Sequence, residues 1–214
     1  TDTNNDQGDI ESEISSQDED YSLNFDGVDD RVIINHSPDM DFSDDDQFSF
    51  GLWYKPNSKY TDQYFENYLI SKGYDGSSRV WGLRINGNQL MVELETQIND
   101  LPIPVYVDNA FNVDEWNYVF VTYSRIGPDE AEVKVYNQNS IMHSEIVSCG
   151  GFGQTHSTND LSIGFLPHDN LDVYGYFFEG KIDKVELWSR VLEDEEIYNN
   201  LSLNQLENSQ DLVG

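Results

Sequence analysis

The sequence predicts an all-β fold, an antiparallel β-sandwich of jelly-roll type, preceded by a disordered acidic linker. Three observations carry this. From residue 21 onward, short apolar or alternating runs are broken at near-regular intervals by Gly, Asn, Asp and Pro, the texture of a sandwich. No long helical period appears before residue 190. The chain has 214 residues, a length that all-β sandwiches fill as one domain, and holds 13 Tyr, 11 Phe and 4 Trp, an aromatic load foreign to a disordered acidic chain.

The linker covers residues 1–20, where eight residues are acidic, none is basic and none is aromatic. Such a stretch buries too little surface to offset the entropy of ordering. The folded domain is expected over 21–203, with 204–214 as a tail or the start of a linker to a following module. Residues 21–25 and 31–35 form two strands around the turn DGVDD. In QFSFGLWYK, Phe48, Phe50, Leu52 and Tyr54 alternate with Gln47, Ser49, Gly51 and Trp53, which marks one plainly apolar face. VWGLRI and QLMVELE are joined by Asn86-Gly87-Asn88, a hairpin signal because Asn and Gly accept positive φ. WNYVFVTYS, the turn Gly127-Pro128-Asp129 and AEVKVYN form another hairpin, and DLSIGF and GKIDKVELW bring the set to at least nine strands. After Leu192, Glu193, Asp194, Glu195 and Glu196 place carboxylates in a first helical turn, where the helix dipole favours them.

Charge removes several functions. With 41 acidic and 11 basic residues the chain carries −30, which excludes a nucleic-acid binder, because phosphate affinity needs a basic surface. It also weighs against anionic membranes and strongly anionic polymers, and leaves neutral ligands and cations open. Cys149 stands alone, so no internal disulfide forms, and no Cys/His cluster has zinc spacing. No run approaches the ~20 apolar residues of a membrane-spanning helix.

Five motifs in order, SLNFDGVDDRVII, FSFGLWYKP, DEWNYVFVTY, DLSIG and FEGKIDKVELWSRVLEDEEI, resemble the laminin-G-like domains of the concanavalin A-like lectin/glucanase superfamily, in its bacterial branch, over about residues 21–200. The segment Val135-Tyr136-Asn137-Gln138-Asn139 departs from that pattern by lacking a glycine in the turn. The resemblance implies a structural Ca²⁺ held by Asp26, the Gly27 carbonyl and Asp183, a hard cation that takes 6–8 oxygen ligands. It also implies a non-catalytic carbohydrate-binding or adhesion module of a secreted or surface-attached multidomain protein. The tail LENSQDLVG is similar to the stretch that follows such domains in longer chains, so a single module of a longer extracellular protein is expected.

A neutral glycan is the expected partner, held by aromatic faces and by amide, carboxylate or guanidinium groups. Two aromatic clusters offer these. Residues 59–84 supply Tyr60, Tyr64, Tyr74, Trp81 and Arg84, and HDNLDVYGYFF supplies Tyr174 and Tyr176. Aromatics in strands also serve as core or cross-strand packing. A glucanase of this superfamily carries E-x-D-x-x-E on one strand face, and the triplet is absent; Glu93 and Glu95 share a face that reads as polar and outward. Two other readings stay open, a protein-interaction or spacer domain and a polysaccharide lyase or hydrolase without a local motif.

Overall fold

The computed structural model describes residues 22–40, 42, 47–57, 67–73, 81–94, 103–149, 158–167 and 176–202. The expected linker at 1–20 and the tail at 204–214 lie outside them. Among the described residues the chain forms β1 (Leu23–Asp26), β2 (Val32–Ile34), β3 (Phe48–Pro56), β4 (Asn67–Lys72), β5 (Trp81–Asn86) and β6 (Gln89–Leu94). There follow β7 (Ile103–Asp108), β8 (Asn117–Arg125), β9 (Glu130–Tyr136), β10 (Ile141–Ser148), β11 (Leu161–Ile163), β12 (Glu179–Trp188) and α1 (Asp194–Ser202). Two six-stranded antiparallel sheets result: sheet A in the order β1-β12-β3-β8-β9-β10, and sheet B in the order β2-β11-β4-β5-β6-β7. Consecutive strands repeatedly change layer, as in a jelly roll.

The alternation in β3 does what the sequence predicts. Phe48, Phe50, Leu52 and Tyr54 are almost fully buried, and they meet Trp81, Leu83 and Ile85 of β5 between the sheets. Phe50 stacks on Trp81 with centroids 4.6 Å apart, and Phe42 stacks on Phe48 at the same separation. Each such ring contributes about 2–3 kcal/mol of apolar burial.

Among the described residues there are twelve strands, three more than the nine read individually from the sequence. The β4 segment NYLISK sits inside the aromatic-rich stretch read as a ligand platform, β7 carries Pro104, and β10 is largely exposed. β7 and β10 are edge strands, where proline and weak patterning are tolerated because one side needs no ladder bonds.

The turns are built from the residues that suggested them. Gly87, with φ of 64°, takes the first of the two positions between paired Asn86 and Gln89, the glycine position of a II′ turn. In the glycine-less turn after β9, Asn137 Oδ1 accepts the Asn139 and Ser140 N–H groups at 2.8 and 2.9 Å, so an Asx turn replaces the missing glycine. In β12 the pairing with β3 slips between Asp183 and Glu186, so Lys184 and Val185 together oppose Leu52. Lys184 adopts φ of 48° at this bulge.

Part of the outer face of sheet A is covered by α1. Ile197 and Leu192 join Tyr118, Phe120, Tyr136 and Trp188 in a second apolar cluster. Gly51 leaves room for it, since a Cβ there would stand 2.2 Å from Phe120 Cδ2. The helix start is fixed by Glu196, whose Oε2 accepts the Glu193 N–H at 2.9 Å, and by Arg190, whose two N–H groups donate to both its oxygens at 2.7 and 2.8 Å. The Arg190 hydrogen bonds, and then the Glu193 N–H, lower the Glu196 pKa to about 2.

A carboxylate with a depressed folded pKa contributes stability above its ordinary value of 4.5 and loses it as pH falls toward 2. The two side chains are 32% and 37% exposed, so screening limits the pair to about 0.5 kcal/mol, roughly 1–2 °C in Tm. Glu196→Gln is expected to lower Tm by that amount at pH 7, and thermal melts should show the gap to the parent closing between about pH 4.5 and 2.

Candidate functional site

The expected calcium set does not assemble. Asp26 pairs with Glu179 across β1 and β12, while Asp183 lies four residues further along β12, roughly 13 Å away at strand rise. Asp183 instead accepts the Lys184 N–H at 2.8 Å and points into a groove described below. Asp26 finds other company. Gly27, with φ of 77°, turns the chain so that Asp26, Asp29 and Asp30 bring carboxylate oxygens within 4.8 Å of one another. Asp26 Oδ1 accepts the Val28 N–H at 2.8 Å and the Asp29 N–H at 3.3 Å, and these backbone donors, led by Val28, hold its carboxyl below its ordinary pKa.

The expected sugar platform divides. Tyr60, Tyr64, Tyr74 and Tyr174 lie outside the described residues. Trp81 is a correction: it points inward and is wholly buried between the sheets, because it occupies the apolar phase of β5 with Leu83 and Ile85. Arg84 takes the opposite phase, on the outer face of sheet B, yet it is only 8% exposed. Its Nε donates to Glu93 Oε1 at 3.2 Å, its guanidinium lies over the Tyr68 ring, and the Tyr68 hydroxyl donates to Glu93 Oε2. Tyr176, half-buried, meets Tyr68 edge-on at 6.2 Å. Gly82 allows the Tyr68 ring to lie on the sheet, since a Cβ there would be 3.1 Å from it. The structure therefore brings Arg84 and Tyr176 together around Tyr68, and it buries Glu93, which the sequence placed on a solvated face.

Open recognition chemistry appears on sheet A instead. With the even-numbered residues of β3 turned inward, Trp53 and Lys55 face out. Trp53 stands opposite Asp183 of β12 and Tyr118 of β8, and its ring packs against Tyr118 at 5.3 Å. Lys55 stands opposite Lys181, and Trp116, just before β8, comes alongside. On this face lies a groove of about 430 Å³ lined by Ser22, Trp53, Trp116, Lys181, Asp183 and Lys184. Trp116 is 39% exposed and Trp53 half-buried, whereas the other two tryptophans, Trp81 and Trp188, are buried. The bulge at Lys184 turns that residue toward the groove, at a backbone cost on the order of 1 kcal/mol. Two indoles with a carboxylate acceptor, a hydroxyl and two ammonium donors can stack on the C–H face of a sugar ring and bond its hydroxyls.

Trp53 and Trp116 lie outside both aromatic clusters that the sequence offers as a sugar platform. A signal for Trp53 existed: it is a large ring at the polar phase of a run whose other outward positions are Gln47, Ser49 and Gly51.

A two-layer antiparallel jelly roll with an exposed aromatic groove defines a lectin-like domain. Residues 26–198 match the model of a laminin-G-type family described as the Concanavalin A-like lectin/glucanases superfamily, and the chain belongs to that superfamily. No curated protein matches the sequence. Among solved structures it is similar to the CBM40 module of the Ruminococcus gnavus IT-sialidase bound to α2,3-sialyllactose, at 13% identity and a TM-score of 0.62, covering 84% of this chain and 96% of that one. It is similar to the binding domain of botulinum neurotoxin serotype D/C, at 16% identity and a TM-score of 0.64, covering 87% of this chain and 44% of that one. The serotype D ligand-binding domain in complex with N-acetylneuraminic acid gives 16% identity and a TM-score of 0.61, covering 85% and 41%. The chain thus spans nearly all of the sialidase module and less than half of each toxin domain. These likenesses show the fold.

On sheet B, Arg84→Ala removes the cation that compensates a buried carboxylate. Losing one partner of a buried pair costs about 3–5 kcal/mol. Urea unfolding should show that loss as a lowered midpoint, and an unchanged midpoint would mean Glu93 is compensated by other groups.

Proposed function

We propose that this chain is a non-catalytic carbohydrate-binding module of a secreted or surface-attached protein, and that the groove of Trp53 and Trp116 on sheet A is its ligand site. The observation that carries the reading is the pair of accessible indoles flanking a polar-floored cavity, in a protein that buries its other two tryptophans. Exposed rings are costly to leave in water and are retained where a ligand covers them. The solved neighbours in complex with sialylated ligands support the same class of partner. Trp116→Ala and Trp53→Ala are each expected to weaken glycan binding by at least about tenfold, as stacking contributions of about 1.5 kcal/mol imply. Calorimetry on glycan-array hits would show it, with circular dichroism confirming the fold; unchanged affinity in both variants would move the site off sheet A.

Calcium is proposed at the Asp26 turn. The donor set is hard and anionic, and carboxylate oxygens that all lie within 4.8 Å of one another can share a cation whose opposed ligands lie about 4.6–5.2 Å apart. Asp26, Asp29 and Asp30 would hold it, and the bound ion would tie the β1–β2 turn. Binding to the folded state alone raises Tm by linkage. Millimolar Ca²⁺ against EDTA is therefore expected to raise the parent Tm by a few degrees, and Asp29→Asn should lose that increment while keeping the parent Tm in EDTA. An equal shift in both would place the ion elsewhere.

A further inference from the structure

The carbohydrate reading leaves the class of sugar open, and the net charge argues for a neutral one. The groove argues otherwise. Lys55 and Lys181 face each other directly across β3 and β12, with Lys184 in the adjoining bulge, so three of the chain's six lysines gather on one patch of a chain at −30. Like charges directly opposite in an antiparallel pair have Cβ atoms about 4.5–5.5 Å apart and destabilise the sheet. Among the described residues neither Lys55 nor Lys181 is in an ion pair, although acidic residues outnumber basic ones almost four to one. Asp183 is the carboxylate lining the groove; Glu179 faces Asp26, and Glu115, beside Trp116, accepts from Asn112 Nδ2 at 3.0 Å. Lys184 also interacts with Glu186, so among the described residues it is Lys181 of the lining and Lys55 opposite it that present cations without an ion-pair partner.

Resting on the carbohydrate-binding reading, we propose that the groove takes an acidic saccharide, its ring on Trp53 or Trp116 and its anionic group at the edge of the groove, between Lys181 of the lining and Lys55 opposite it on β3. The repulsion across the strand pair is then relieved by the ligand, and Asp183 accepts hydroxyl donors. The −30 of the whole chain does not forbid this. At physiological ionic strength the field of distant carboxylates is screened over about 8 Å, whereas the lysines act at contact.

The test compares matched probes on the intact chain by calorimetry: 3′-sialyllactose, lactose 3′-sulfate and lactose. The proposal expects both acidic probes, or the sialylated one alone, to bind at least about tenfold tighter than lactose, with affinity falling as salt rises. Lys55→Gln/Lys181→Gln should erase that preference without lowering Tm, and should raise Tm slightly in the absence of ligand because the repulsion is gone. Trp53→Ala should weaken all binding. Equal affinity for lactose and the acidic probes, or a preference that survives the double lysine change, overturns the acidic-sugar assignment and leaves the carbohydrate reading standing. Failure of these probes and of a full neutral and acidic glycan array overturns both.

Discussion

The stacking of Phe50 on Trp81 is the contact on which the rest of the molecule depends. These two rings, one from each sheet, set the spacing of the layers, and the phase of their strands then dictates which side chains can face a ligand. Because Phe50 points in, Trp53 and Lys55 point out. Because Trp81 points in, Arg84 points out and must find a partner on sheet B, which it does in Glu93. Inward aromatics bind the two layers, and the same period of two delivers the groove.

The two outer faces answer their polarity differently. On sheet B the outward residues Tyr68, Arg84 and Glu93 are buried and satisfy one another, as polar groups removed from water must. On sheet A the outward residues divide along the strands. Toward one end, Tyr118, Phe120 and Trp188 lie under α1, whose start is tied to the sheet by Ser49 Oγ, which accepts the Leu192 N–H at 3.1 Å and donates to the Arg190 carbonyl at 2.8 Å. Toward the other end Trp53 is half-buried against the edge of that cluster and Trp116 is exposed. Glu186 and Tyr118 sit beside this apolar cluster, and burial raises the pKa of both.

Electrostatics follow the same local logic. A chain this acidic repels itself, and one effect of that skin is solubility. The only way such a surface can favour an anion is by concentrating its few cations, and strand pairing does this by setting Lys55 against Lys181. The bulge adds Lys184 to the same end of the sheet. Net charge is a sum over the whole surface; recognition depends on the few groups within contact distance.

Much of the fold was legible in the residues, since alternation in β3, the Asn-Gly hairpin and the acidic first turn of α1 are local signals of local geometry. β4, β7 and β10 were not, because an edge strand needs only one partner and a strand amid aromatics resembles a platform. The site was less legible still. Aromatic density pointed to Trp81, which the phase of its strand buries, and the pairing of Asp26 with Asp183 failed because register places them roughly 13 Å apart. Sequence by itself determined the β-rich alternation, the turn chemistry and the acidic skin, because these depend on neighbours in the chain. Only the tertiary structure decided which rings face water, which carboxylates meet and that two lysines 126 positions apart stand opposite one another, because those facts arise from strand order and register across a sheet.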